Sequence, residues 1–393
     1  MPEPPAAPGT SEPSAGSAPG SRLGPRPGSR IEGFDLARAL AVLGMVIVNF
    51  KLVMTTGAEP AGDPAAWLEL VTGLDGKAAA TFVVLAGIGV SLGARRAASA
   101  VGPEAATLRA RARRVVLARA ALLFVVGLAY TPLWPADILH FYGVFLALGA
   151  LVLFAPTRSL WTLAGLLVAL FPLLAILFDY EAGWDWETLE YAGFWTPSGL
   201  VRHLVFNGFH PVVPWAAFLL VGMALGRLDW SAPRLALRVA GTGLVGLVAA
   251  SVPARLLAGP AAALEDQELA ELATLLLATD PMPPLPLYLL AGTSAACLVI
   301  GLAAWLTPRL GAAARPLIAT GQLALTLYVA HVVIGMGVLE VLGLMGAGTL
   351  GQSLAASLVF YAAAIAFAVL WRRRFERGPL EALFRASTRR LVS

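Results

Sequence analysis

The chain has 393 residues, of which 58% are hydrophobic and 13% charged, with a formal net charge of +4. A soluble domain carries about a quarter charged residues, and a mean hydropathy of +0.76 excludes a soluble enzyme held by one or two anchors. A chain this apolar needs lipid as its solvent, and its basic residues sit in short loops between apolar runs, where they set topology and argue against nucleic acid as a partner.

In chain order, residues 1–31 are rich in Pro, Ala, Gly and Ser. They bury too little apolar surface to order themselves and lack a signal-peptide pattern, so a disordered cytoplasmic tail is expected there. Ten apolar runs follow, at about 34–54, 76–94, 115–133, 137–155, 159–178, 209–226, 237–257, 285–306, 316–338 and 350–371. Each approaches the roughly 20 residues a helix needs to cross the hydrocarbon, and each is bounded by Gly, Pro or charge clusters. The expected fold is all-α: a polytopic transmembrane helix bundle of about ten spans within 32–375, followed by a basic cytoplasmic tail, 376–393.

With the N-terminus inside and every span crossing, the cytoplasmic segments hold 23 Lys and Arg and the outer ones four. Acidic residues reverse the bias, with 16 outside and 8 inside. This positive-inside pattern predicts a multi-pass protein of the cell (inner) membrane with both termini cytoplasmic. Two outer segments are long. One, 179–208, carries Trp184, Trp186, Tyr191, Phe194 and Trp195, aromatic residues suited to the membrane interface. The other, 258–284, contains an amphipathic stretch, Ala261 to Leu277, expected on the outer surface. No internal repeat points to an inverted-repeat transporter, and the single cysteine, Cys297, excludes an intramolecular disulfide framework.

Ionisable groups at membrane depth are costly and are candidates for function. At 100° per residue, Asp35, Arg38 and Asn49 share one face of the first helix. That stripe either lines a substrate path or contains an i, i+3 ion pair beside an asparagine that joins helices. The fourth span opens with Asp137 and His140, again i, i+3. The carboxylate can take the proton of one imidazole nitrogen and leave the other as a base; the alternative is an interfacial histidine beside an exposed aspartate. His331 lies deeper, with Tyr328 and Gly335 on its face and Gln322 and Thr326 pointing away; it needs a hydrogen-bond partner and has either a chemical or a packing role. His203 and His210 either ring the mouth of a site or are solvated loop histidines. On the second helix, Gly87-x-x-x-Ser91 and Gly89-x-x-x-Gly93 are helix-packing signals. There is no P-loop, dinucleotide fingerprint, G-x-S-x-G or zinc-type Cys/His spacing, and no metal is expected.

The run from Arg30 through Asp35 and Arg38 to Asn49 resembles the opening of the YeiB-like bacterial membrane proteins. It is similar also to their wider relatives, the heparan-alpha-glucosaminide N-acetyltransferase-like membrane acyltransferases. Gly76 to Leu92 is similar to that family's second helix. Ile138-Leu-His140-Phe-Tyr-Gly143 resembles the opening of its fourth, and His210-Pro-Val-Val-Pro-Trp215 through Gly226-Arg227 its "PxxPWxxxxLxGxxxGR" segment. Gly321-Gln-Leu-Ala-Leu-Thr326-Leu-Tyr328-Val-Ala-His331 resembles its late "GxxALTxYxxH" helix. The match spans about residues 30–375.

The resemblance implies transfer of an acyl group, such as acetyl, from cytosolic acyl-CoA to a hydroxyl or amine outside, on a cell-envelope glycan or lipid. The donor, acetyl-CoA or another acyl-CoA, would be held by Arg38 and Asp35, aided by arginines of the 95–119 loop. His140, oriented by Asp137, would be the base, with His331 as its rival; Asn49, Tyr328 and His210 would line the substrate site. The family's histidine of the first outer loop has no counterpart between Lys51 and Leu74, where Pro64-Ala-Ala-Trp67 takes its place. The alternatives are a transporter or lipid-handling protein with no covalent chemistry, or a non-catalytic membrane component.

Overall fold

A computed structural model describes residues 31–57, 65–186 and 188–392. The expected tail, 1–31, lies outside them except for Ile31, as does Pro64 of the first outer loop. The unit 31–392 is a helix bundle whose regular non-helical element is a two-residue-per-strand hairpin, Trp184–Asp185 against Glu190–Tyr191.

The helices run in chain order: α1 Glu32–Thr55, α2 Ala66–Thr72, α3 Lys77–Ala98, α4 Ala105–Tyr130, α5 Leu139–Leu151, α6 Thr157–Leu177, α7 Pro197–Arg202, α8 Val212–Leu225, α9 Leu235–Ala262, α10 Gln267–Leu277, α11 Pro286–Leu310, α12 Arg315–Gln322, α13 Ala324–Ala330, α14 Gly337–Val341, α15 Leu350–Arg372 and α16 Pro379–Val392. Two π-helical turns, His203–Asn207 after α7 and His331–Met336 after α13, each begin at a histidine. Such turns interrupt the regular ladder and recur at functional sites.

Among the described residues, seven helices are long and apolar enough to cross a membrane, or eight when α7 with its π turn and α8 count as one span bent by 53°. The ten-run reading divides the chain more finely. The two remaining runs are helical but fall short: α4 carries five arginines between Arg109 and Arg119, and α5 has 13 residues. At 1.5 Å per residue α5 is about 20 Å long, less than the roughly 30 Å of hydrocarbon. The sequence also treats 95–119 as a loop, whereas Arg95 and Arg96 end α3 and the other five arginines lie in α4. A helix that continues beyond the lipid keeps its backbone bonds while its side chains turn polar, so hydropathy alone hides it.

α3 packs on α8, α9 on α11, and α4 on α5, while α1 lies among α3, α11, α12 and α15. The α3–α8 crossing is backbone against backbone. A Cβ at Gly87 would collide with the Leu219 carbonyl, and one at Gly222 with the Val84 carbonyl. Ser91 completes the seam by donating to the Met223 carbonyl at 2.7 Å. The Gly89/Gly93 half of that pattern does not pack: Gly93 meets nothing within 4 Å. Small residues let membrane helices approach closely, which replaces the hydrophobic drive that lipid removes.

Local chemistry sets the breaks. Pro211 and Pro214 lack the N–H a continuous helix needs, and Val213 leaves the helical region. Leu323, at φ −108° and ψ 23°, separates α12 from α13. α15 starts with a reciprocal capping box of Thr349 and Gln352.

Candidate functional site

The polar stripe of α1 faces the broken helix α12–α13. Near one end, Asp35 is fully buried and pairs with Arg38 at 2.6 Å; Gln322 donates to its other oxygen at 3.3 Å. Nearer the other end, the Asn49 amide donates to His331 Nε2 at 2.9 Å. His331 Nδ1 donates to the Tyr328 carbonyl. A carbonyl only accepts, so the Nδ1 of His331 carries the proton and its Nε2 is the acceptor. Both nitrogens are therefore committed to structure.

His140 is arranged differently. Asp137 precedes α5 and its Oδ2 accepts from the N–H groups of Leu139 at 2.8 Å and His140 at 3.3 Å, capping the helix. The same oxygen is 3.1 Å from His140 Nδ1, and Oδ1 accepts from the Tyr328 hydroxyl at 3.0 Å. Four donors on one carboxylate suit its acceptor-only, ionised form. With Asp137 an acceptor, His140 Nδ1 is the donor, and in the neutral imidazole Nε2 keeps its lone pair. Nε2 is buried and has no hydrogen-bond partner among the described residues. The backbone of α4 sets the height of this residue: at Gly127 a Cβ would collide with the His140 N–H.

Tyr328 thus ties the two histidines together. Its carbonyl accepts from His331, its hydroxyl donates to Asp137, and the same hydroxyl accepts from the Ile138 N–H at 3.2 Å. The sequence presents His140 and His331 as rivals; the structure makes them two ends of one buried polar chain.

Around His140 lies an aromatic cover drawn from the segment 184–210. The His140 and His203 rings stack at 5.7 Å, and Phe194 meets both edge-on. Phe141 sits 4.1 Å from His140 and 5.7 Å from His210. Asn207 holds this segment, donating to the Tyr180 and Ala182 carbonyls at 2.9 Å and accepting from the Tyr191 hydroxyl at 2.7 Å. His203 is buried, not a solvated loop residue. Asn207 carried no signal in the sequence, and Gln322, read there only as pointing away from His331, turns out to face Asp35, since an amide gains meaning only from its neighbours.

Next to this cluster opens a cavity of about 280 Å³ lined by Asn49, Lys51, Asp75, His210, Trp215 and Asp280, among others. Lys51 and Asp75 pair at its rim at 2.6 Å. An adjoining recess of about 60 Å³ shares Asn49 and His210 and reaches Ile138 and Tyr328. So Asn49, Tyr328 and His210 line one recess, Asp137 and His140 lie behind it, and Arg38 with Asp35 lies about eleven residues down α1, roughly 17 Å along its axis. Among the described residues, no group of His, Cys, Asp and Glu is placed to hold a metal ion.

The family model described as "Heparan-alpha-glucosaminide N-acetyltransferase, catalytic" matches residues 30–250, and that described as "Protein of unknown function (DUF418)" matches residues 225–390. No curated protein and no solved structure matches the chain.

Proposed function

The chain belongs to the heparan-alpha-glucosaminide N-acetyltransferase catalytic family, and on that premise we propose that it is a multi-pass membrane acyltransferase that moves an acetyl group from acetyl-CoA to a hydroxyl or amine on the opposite side. The observation that carries this reading is the placement of His140: one nitrogen held by Asp137, the other buried and without a hydrogen-bond partner among the described residues.

In this reading, the acceptor oxygen or nitrogen attacks the thioester carbonyl while His140 Nε2 takes its proton. The carbon–sulfur bond breaks, and CoA leaves as a thiolate that recovers the proton from the imidazolium. Asp137 steadies the imidazolium, and a positioned base of this kind is worth about 10²–10⁴-fold. His331 positions Tyr328 and does not take the proton. Arg38, beside Asp35, meets a donor phosphate from the arginine-rich end, which faces the cytoplasm in the ten-span orientation with both termini inside. The acceptor enters the cavity beside Asn49 and His210, and the aromatic cover has to part for it to reach Nε2.

The test is transfer of radiolabelled acetyl from acetyl-CoA by the full chain in liposomes, with cell-envelope glycans or lipids as acceptors. His140→Ala should abolish transfer while eluting as the parent does, and Arg38→Gln should weaken acetyl-CoA binding with transfer retained at high donor concentration. No transfer and no acetyl-CoA binding by the unaltered chain would sink the reading.

A further inference from the structure

The C-terminal helix α16 is fastened to the bundle by one carboxylate. Glu381 Oε1 accepts from the N–H groups of Leu325 at 2.8 Å and Thr326 at 3.1 Å, and Oε2 accepts from the Thr326 hydroxyl at 2.6 Å. The Leu380 N–H returns a bond to that hydroxyl at 3.1 Å. Because α13 starts at a break, its first N–H groups have no acceptor within the helix. Glu381 supplies one from 55 residues away. Tyr328 and His331 follow on the same helix.

The exposed part of α16 is both basic and apolar, with Arg385 and Arg389 one and two turns along from Glu381 and Leu383 and Leu391 on the other side of the helix. Residues 372–390 contain seven arginines and two glutamates, and Glu381 is already used. Arg385, Arg389, Leu383 and Leu391 are exposed. α16 packs along α4, which brings Arg385 close enough to Arg119 for its charge to act on the Arg119 guanidinium. Neither these two nor Arg389 has a hydrogen bond or ion pair among the described residues. Only six residues separate α16 from the candidate span α15, so the helix cannot leave the membrane surface.

We propose that Arg119, Arg385 and Arg389 form a docking surface for anionic phospholipid headgroups. Guanidinium forks bind phosphate oxygens bidentately, and arginines held beside a span attract anionic headgroups. Headgroup binding holds α16 in place and, through Glu381, holds the start of the helix that carries Tyr328 and His331. This surface is independent of the proposed reaction.

The experiment uses the purified full chain in detergent, with phosphatidylglycerol, phosphatidylcholine or inorganic phosphate added separately. Phosphatidylglycerol should raise the melting temperature by a few degrees and slow amide hydrogen exchange across 323–331; the other two additives should do neither. The double variant R385Q/R389Q should lose both responses, and Arg119→Gln, a second variant with α16 unaltered, should weaken them. An equal response to phosphatidylcholine or to inorganic phosphate would overturn the proposal, as would an undiminished response in folded R385Q/R389Q.

Discussion

The hydroxyl of Tyr328 lies 3.0 Å from Asp137 Oδ1 and joins two helices whose residues are 191 positions apart. Through that bond, the carboxylate that orients His140 is itself oriented by the helix carrying His331. Removing only the hydroxyl, in Tyr328→Phe, leaves one Asp137 oxygen short of a donor and the Ile138 N–H unpaired. The expected cost is about 1–3 kcal/mol of stability. Acetyl transfer should fall while acetyl-CoA affinity is kept. Thermal melts and donor titrations on the same preparation separate these effects; a drop in donor affinity equal to the drop in transfer would place Tyr328 in the donor site instead.

His331 and Asn49 should behave as one structural unit. Each single change, His331→Ala or Asn49→Ala, strands its partner at membrane depth, and interhelical bonds of this kind average about 0.6 kcal/mol with a maximum near 1.7. A double-mutant cycle read by denaturation should therefore give a coupling energy in that range. Additive effects would mean that the 2.9 Å contact contributes nothing.

At Gly222 a side chain has nowhere to go, because the Val84 carbonyl of α3 occupies the position of its Cβ. Gly222→Val should push α3 and α8 apart and yield aggregated or low-melting protein. Gly93→Ala, on the same stretch of α3 as the packing pattern but facing open space, should leave the stability unchanged within about 0.5 kcal/mol. Size-exclusion profiles of the pair check this, and a well-behaved Gly222→Val protein would contradict the backbone contact.

Orientation can be measured directly, because Cys297 is the chain's one thiol. In a Cys297→Ala background, a cysteine at exposed Arg389 should resist an impermeant maleimide in intact cells, whereas one at exposed Trp195 should react. Labelling at Arg389 alone would reverse the orientation read from the arginines, and labelling at both positions would put the two on one side and overturn it.

Much of the bundle was legible as a string. All ten apolar runs are helical, because a backbone in lipid has to satisfy its polar groups within each segment. Length is where the reading ran over. α5 stops at 13 residues and α4 begins at Ala105, ahead of its apolar run, since a hydropathy window sees composition and not where the ladder of hydrogen bonds ends. The Asp137–His140 pair was also legible, because i, i+3 spacing brings side chains together on any helix start.

Composition alone shows that this chain is apolar enough to need a membrane and which titratable residues fall within its apolar runs. What those residues touch follows from how the helices pack. Periodicity assigns a side chain to a face but not to a neighbour, and the bonds that distinguish the two histidines cross between helices: Asn49 and the Tyr328 carbonyl occupy both nitrogens of His331, while Asp137 occupies one of His140's and leaves the other free. Which imidazole keeps a usable lone pair is a question of who stands opposite it, and that is settled by packing.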